Sequence, residues 1–355
     1  MQALYSNFFQ NISRRSFLKL AGQGLGSLFL LPVLEKLPAS NWLPPGQNEI
    51  AEQGRVLNDQ VGLYDRPSYD GELKHLLWMD AVLPITGVTV SEGESDYNPV
   101  WYEIEDQGFV HSGSIQPVDT KTNSVRADVP EDGFLVEVSV PYTDILWNPK
   151  YSTSIAYRLY YSTTHWVTRI TEDSTGKLWY RIEDDKWGYL YYADPAHLRP
   201  VTLEDISPLS PKVPDYLKRL EVRLAEQLVV AYEDNQPVFM ARAATGAKFS
   251  NGDFRTPPGE YITNRKRPSR HMASGDRAAA NSYDLPGVPW VCYITESGIA
   301  FHGTYWHNDF GKPRSHGCIN VSSDSARWIY RWTFPSVSLD KQTHNDETGT
   351  FVQVI

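Results

Sequence analysis

Residues 100–110 (VWYEIEDQGFV) return as residues 178–190 (LWYRIEDDKWGYL), and the copies run on into Ile115-Gln116-Pro117-Val118 and Leu198-Arg199-Pro200-Val201. Each copy alternates apolar and polar residues around an acidic turn, the period-two pattern of paired strands. A duplicated unit of short strands leaves little room for a helical N-terminal half. With 11 Trp, 21 Tyr, 24 Gly and 24 Pro, and few long helical patterns, the chain reads as mainly β. At 355 residues it has room for two or three domains. The first copy closes a small β module at 55–118 and the second a more divergent one at 126–201. Pro208, Pro211 and Pro214 mark a stiff linker over 202–215, before a last domain at 216–355.

Chemistry concentrates in that last domain, in Phe301-His302-Gly303-Thr304 and Ser315-His316-Gly317-Cys318-Ile319-Asn320. A free thiol titrates near about 8.5, so it needs a histidine or convergent N–H groups to act as a nucleophile at neutral pH. His302 and His316 are the histidines at hand. Residues 290–295 and 298–301 read as a hairpin that sets His302 at its end, and Gly311 and Pro313 turn the following loop back toward Cys318. Residues 322–332 have helical spacing, with Ser322 or Ser323 as N-cap. The N–H groups of Gly317 and Cys318 are candidates for an oxyanion site. The rival reading is zinc held by His302, His307, His316 and Cys318, which are ligand types for that metal at an unusual spacing. Cys292, inside an apolar strand, reads as inert core, and both cysteines are expected to be unpaired.

The histidine, loop and Ser-His-Gly-Cys-x-Asn arrangement resembles the L,D-transpeptidase (YkuD-type) catalytic domain. The resemblance extends upstream through the hairpin pattern at 218–233, Ala244-Thr245-Gly246, and Thr256-Pro257-Pro258-Gly259. Ala244 stands where the family usually has serine. The resemblance implies a β-sandwich-like catalytic domain without a cofactor, with Cys318 as nucleophile and His302 as base. His302 Nε2 would take the thiol proton, its Nδ1–H being held by a carbonyl near Gly303. His316, Gly317, Ser315 and Gly303 would support the turn and the oxyanion. Arg314, Asn320, Trp306, Tyr283 and Met272 would contact substrate, the last two from a segment at 262–289 that reads as a flap or a solvated loop. The implied partners are peptidoglycan stem peptides, donor and acceptor, with carbapenems as acylating inhibitors. Two alternatives are L,D-carboxypeptidase activity, with water as acceptor, and a non-catalytic wall-binding protein.

The N-terminal modules, the first more than the second, resemble bacterial SH3-like barrels, which implies glycan or peptide contact. Trp166, Trp187, Tyr191 and Tyr192 are candidates to stack on sugars, against the plainer reading that they fill a barrel core. Residues 1–40 contain Ser13-Arg14-Arg15-Ser16-Phe17-Leu18-Lys19 and then a glycine-diluted apolar stretch, shorter than the roughly 20 residues a spanning helix takes. This reads as a twin-arginine signal or an uncleaved anchor, placing the protein outside the cytoplasmic membrane and touching membrane only there. A formal net charge of −10, with no basic stripe, argues against nucleic acid as a partner.

Overall fold

The computed structural model describes residues 52–91, 97–126, 128–151, 153–274 and 282–355; the twin-arginine segment lies outside them. The fold is mainly β. Its first sheet holds β1 (Gln53–Val56), β2 (Gln60–Tyr64), β3 (Leu73–Trp78), β4 (Val82–Val90), β5 (Val100–Ile104), β6 (Gly108–His111) and β7 (Ile115–Val118). Its second holds β8 (Phe134–Val138), β9 (Tyr142–Leu146), β10 (Ile155–Tyr160), β11 (Thr164–Glu172), β12 (Leu178–Glu183), β13 (Leu190–Ala193) and β14 (Leu198–Pro200). Both are antiparallel and seven-stranded, in the orders β3-β2-β6-β5-β4-β1-β7 and β10-β9-β13-β12-β11-β8-β14. Strand for strand these are the same path, so the sequence repeat is a repeat of topology. Each copy also turns into its last strand through a short 3₁₀ turn, capped by His111 in the first and Asp194 in the second. The repeated apolar positions explain why: Trp101, Ile104 and Ile115 in one copy, and Trp179, Ile182 and Leu198 in the other, are all buried.

The aromatic residues singled out above divide. Trp166 and Tyr191 are interior, Tyr192 is half-buried, and Trp187 is 46% exposed.

Residues 202–215, read from sequence as a linker, carry a one-turn helix α1 (Leu203–Ile206) whose N-cap Thr202 forms a capping box with Asp205. The segment is docked: Leu209 N–H donates to Arg331 O at 3.1 Å, and Arg331 Nε to Ser207 O at 2.8 Å.

The third sheet is eight-stranded and mixed. It comprises β15 (Lys218–Arg223), β16 (Leu228–Glu233), β17 (Gln236–Arg242), β20 (Gly259–Ser274), β21 (Tyr283–Tyr293), β22 (Ala300–Gly303), β23 (Ile319–Val321) and β24 (His344–Val354). A two-stranded ribbon, β18 (Lys248–Phe249) with β19 (Gly252–Asp253), stands apart from it. The order is β17-β16-β15-β24-β20-β21-β22-β23, parallel at β15/β24 and at β22/β23. Helix α2 (Ser323–Trp332), N-capped by Ser322, packs Ala326, Ile329 and Tyr330 onto one face of this sheet, and Trp328 stacks on Phe239 at 4.0 Å. Two buried lysines satisfy carbonyls at the C-terminal end of α2. Lys266 Nζ reaches Tyr330 O at 2.8 Å and Thr333 O at 2.7 Å, and Lys218 Nζ reaches Trp332 O at 2.9 Å. Burial lowers both ammonium groups to about 8.

The described residues of the segment at 262–289 are regular rather than irregular, pairing as strands β20 and β21. Its charges hid the strand pattern because their partners come from far away in sequence. Lys266 caps α2, while Arg267 and Arg270 bind Asp185 of the second sheet.

Candidate active site

The register of three neighbouring strands decides which side chains meet. Cys292 on β21 pairs with Phe301 on β22, which pairs with Ile319 on β23. All three point into the core beneath α2. Alternation then sends the next row to the opposite face, where His302 lies beside Asn320 and Cys318 stands two residues before Asn320. Cys318 and His302 are therefore diagonal neighbours on one face, and Cys292 lies on the other. That geometry keeps the two thiols apart, and both are free. Cys292→Ala is accordingly expected to retain activity and lose about 1–3 kcal/mol of stability in a denaturant melt.

His302 is buried, and its Nδ1–H donates to the Gly303 carbonyl at 3.0 Å, which leaves the Nε2 lone pair free to accept a proton. Burial lowers its pKa to about 4, so the ring is neutral across the physiological range. Gly303 itself is a packing glycine: a Cβ there would sit 2.8 Å from the Ser323 Cα. Trp306 lies against His302 with ring centroids 5.9 Å apart.

Cys318 is half-buried, and its S–H points to Gly298 O at 3.8 Å. Burial pushes the thiol up to about 11, opposed by a hydrogen bond from the Ala300 backbone. This differs from the sequence-based expectation of a histidine-lowered thiol: the resting pair is a neutral thiol and a neutral imidazole. Cys318 also precedes the short strand β23 rather than a helix.

Ser315 organises the motif turn. Its Oγ donates to Cys318 O at 2.6 Å and accepts from Gly317 N–H at 3.1 Å. The Gly317 N–H is thus occupied and is not a free oxyanion donor. Gly317 has φ of 118°, while an added Cβ would meet only ordinary contacts. Backbone conformation, not space, calls for glycine there.

Thr256, buried in the Thr-Pro-Pro-Gly turn, was not singled out as a site residue. Its Oγ donates to Gly317 O and accepts from Gly246 N–H, both at 2.8 Å. Ala244 and Gly246 bridge to Asn320 and Ser315, so the Ala-Thr-Gly segment frames the motif from the other side.

His316 is exposed and sits among Phe249 (4.9 Å), Phe254 (4.7 Å) and Tyr283 (5.9 Å). The structure places it in an aromatic wall, two residues before the thiol in sequence. Burial first, and Cys318 second, push the Tyr283 hydroxyl above its ordinary value. Met272 packs with Trp306 in the cluster around Tyr305. Arg314 Nη1 is already paired with Asp309 at 2.8 Å. Asn320 is buried, its amide 3.0 Å from His307 Nε2. Among the described residues, no group of three or more His, Cys, Asp or Glu side chains is placed to hold a metal ion.

The loop between the two motif segments is held from outside its own sheet. Arg55, buried in the first module, donates to Tyr305 O at 2.6 Å and to Asp80 at 2.8 Å, while Asn308 Nδ2 donates to Ser112 O at 3.2 Å. Tyr160 of the second module stacks on Tyr305 at 5.3 Å.

Residues 217–354 match the YkuD family, described as the L,D-transpeptidase catalytic domain. The third sheet, with its helix, is the part of the chain that is similar to this family; the match does not include the two N-terminal sheets. Among solved structures, the chain is similar to an L,D-transpeptidase from Mycobacterium smegmatis at 17% identity. That likeness has a TM-score of 0.32 and covers 53% of this chain and 81% of that one. It is also similar to L,D-transpeptidase 3 from Mycobacterium tuberculosis at 20% identity, with a TM-score of 0.32, over 39% of this chain and 61% of that one. The catalytic domain of an E. faecium L,D-transpeptidase is matched at 20% identity and a TM-score of 0.30, over 39% of this chain and 96% of that one. No curated protein matches the chain.

Proposed function

We propose that this chain is a peptidoglycan L,D-transpeptidase working through a Cys318 thioester. The observation that carries the reading is the family match over 217–354, with Cys318 and a proton-accepting His302 on one sheet face. In the acylation step, the Cys318 proton passes to His302 Nε2 and the sulfur attacks the carbonyl of the L-centre of the third residue of a tetrapeptide stem. The C–N bond to the terminal D-alanine breaks, and His302 returns its proton to the departing amine. An amine of a second stem then gives a proton to His302 and attacks the thioester. The amide forms, and sulfur leaves and is reprotonated. With Gly317 N–H held by Ser315, the Cys318 N–H is the remaining donor of the motif turn for the developing oxyanion.

This activity places the protein outside the cytoplasmic membrane, where its substrate lies. Among the described residues no helix is long and apolar enough to cross a membrane. Exposed Trp187 is a candidate glycan contact on the second module.

Incubation with purified disaccharide tetrapeptide, followed by mass spectrometry, is expected to give a cross-linked dimer lighter by one D-alanine. Disaccharide tripeptide alone would make the enzyme an L,D-carboxypeptidase. Unchanged substrate would favour a non-catalytic wall-binding protein.

A further inference from the structure

We propose that His271 is a positioning residue: an imidazolium clasp through which the second module holds the β20–β21 hairpin, and with it Tyr283, against His316 in the motif turn of Cys318. The proposal rests on reading Cys318 as the acyl-transfer centre, and adds a role for a module outside the family match.

The geometry is specific. His271 on β20 is buried, and its two ring nitrogens face two carboxylates. Nδ1 meets Asp184, in the acidic turn between β12 and β13, and Nε2 meets Asp284 on β21. A neutral imidazole has one N–H and would oppose a lone pair to one of the carboxylates. Only the protonated ring donates to both. One side chain therefore joins the second module to both strands of the hairpin.

Asp284 directly follows Tyr283, and both are in paired register with β20, Ala273 to Asp284 and Ser274 to Tyr283. The clasp thus acts one residue from the ring that lies 5.9 Å from His316, two residues before Cys318.

Neighbouring groups reinforce the same contact. Asp185 accepts from the His271 backbone N–H at 2.7 Å and from Arg267 at 2.8 Å, and it also pairs with Arg270. Lys186 Nζ binds Ala273 O, and Tyr157 OH donates to Asp284 at 3.0 Å. Trp187 and Tyr157 set their rings edge-on to the imidazole. His165 on β11 lies close by but is buried and neutral, its pKa lowered to about 3 chiefly by burial. Gly287 allows the approach, since a Cβ there would lie 2.2 Å from the His165 ring. Tyr191 completes the surroundings, its hydroxyl raised first by burial and then by Tyr157, Asp184 and Asp284.

Burial opposes the charge on His271, but Asp184 and Asp284 outweigh it and hold its pKa above the ordinary value. A folded pKa above the unfolded one means the clasp is fully made below the unfolded value of about 6.5 and is lost as pH rises through the folded one.

The test uses the full chain and hydrogen exchange, corrected for intrinsic rates, over 262–274 and 282–293, with β15–β17 as internal reference. In wild type, protection of the hairpin is expected to fall about tenfold as pH rises through the His271 titration, while the reference strands hold. In Asp184→Asn, which removes one of the two carboxylates, the fall is expected at lower pH, and donor KM should rise more than kcat falls. His271→Gln should leave the hairpin loosened and insensitive to pH. If that variant does not fold, the wild-type and Asp184→Asn curves decide. Protection independent of pH, an unmoved midpoint in Asp184→Asn, or loosened strands with unchanged KM and kcat would each overturn the clasp. A working clasp in a wild-type protein that forms no product at any pH would instead sink the transpeptidase reading, because exchange needs no turnover.

Discussion

Cys318→Ala is expected to abolish product formation while leaving the protein folded, and Cys318→Ser to lower the rate by about 10⁴-fold or more. The separation of activity from stability follows from where the sulfur sits. It is half-buried, and its polar contacts are to backbone, a long one to Gly298 O and one from Ala300, so its removal costs on the order of 1 kcal/mol. The serine hydroxyl is a far weaker acid than even a thiol raised to about 11. Intact mass after incubation with a carbapenem gives the check: one adduct in wild type and none in Cys318→Ala. A surviving adduct on Cys292 would contradict the register, which puts that thiol in the core on the far face.

His302→Gln is expected to slow acylation by about 10²–10⁴-fold, the usual worth of one positioned base that also serves as acid. The pH behaviour follows from the neutral resting pair. With His302 lowered to about 4 and Cys318 raised to about 11, acyl transfer should be flat between these limits and fall on the acid side as His302 takes a proton. Alkylation of Cys318 by a small reagent should instead climb toward high pH. Because no ion pair is present to lose, His302→Gln should move that alkylation curve by less than about one unit even as acylation collapses. His316→Gln, which alters the aromatic wall with Phe249 and Phe254, should cost less than His302→Gln. A larger loss in His316→Gln would reverse the two roles.

What could be read without coordinates depended on whether the partners of a residue were local. The repeated strands were legible because Trp101 and Trp179, or Ile104 and Ile182, occupy matching interior positions set by period-two alternation. The site motif was legible because its residue types are close in sequence. The state of the thiol was not, since it is set by burial in the folded sheet, opposed by the Ala300 backbone, and not by a histidine close in sequence. Nor was the availability of Gly317 N–H, which turns on the Ser315 side chain two residues back. The strand pairing of 265–274 with 283–293 was not legible because Lys266, Arg267 and Arg270 look like solvated charges until α2 and Asp185 are seen. Thr256 lay within a recognised turn, but its grip on Gly317 is a contact across 61 residues of chain.

The position of β24 has a consequence for the order in which the catalytic sheet is assembled. The strand is added after every other, yet it lies in the interior of the sheet, parallel to β15 and antiparallel to β20. During synthesis from the N-terminus, the residues of β15–β17 and of β20–β23 are made before the strand that joins them. Each set, once paired, presents an open edge on the side β24 will fill. The two halves become one sheet only when residues 344–354 emerge and insert, a pairing across more than a hundred residues that closes last and slowly. Until then, Thr263 and Leu220 belong to separate ribbons, and the hairpin that carries Tyr283 has no fixed place relative to the strands on which the domain began.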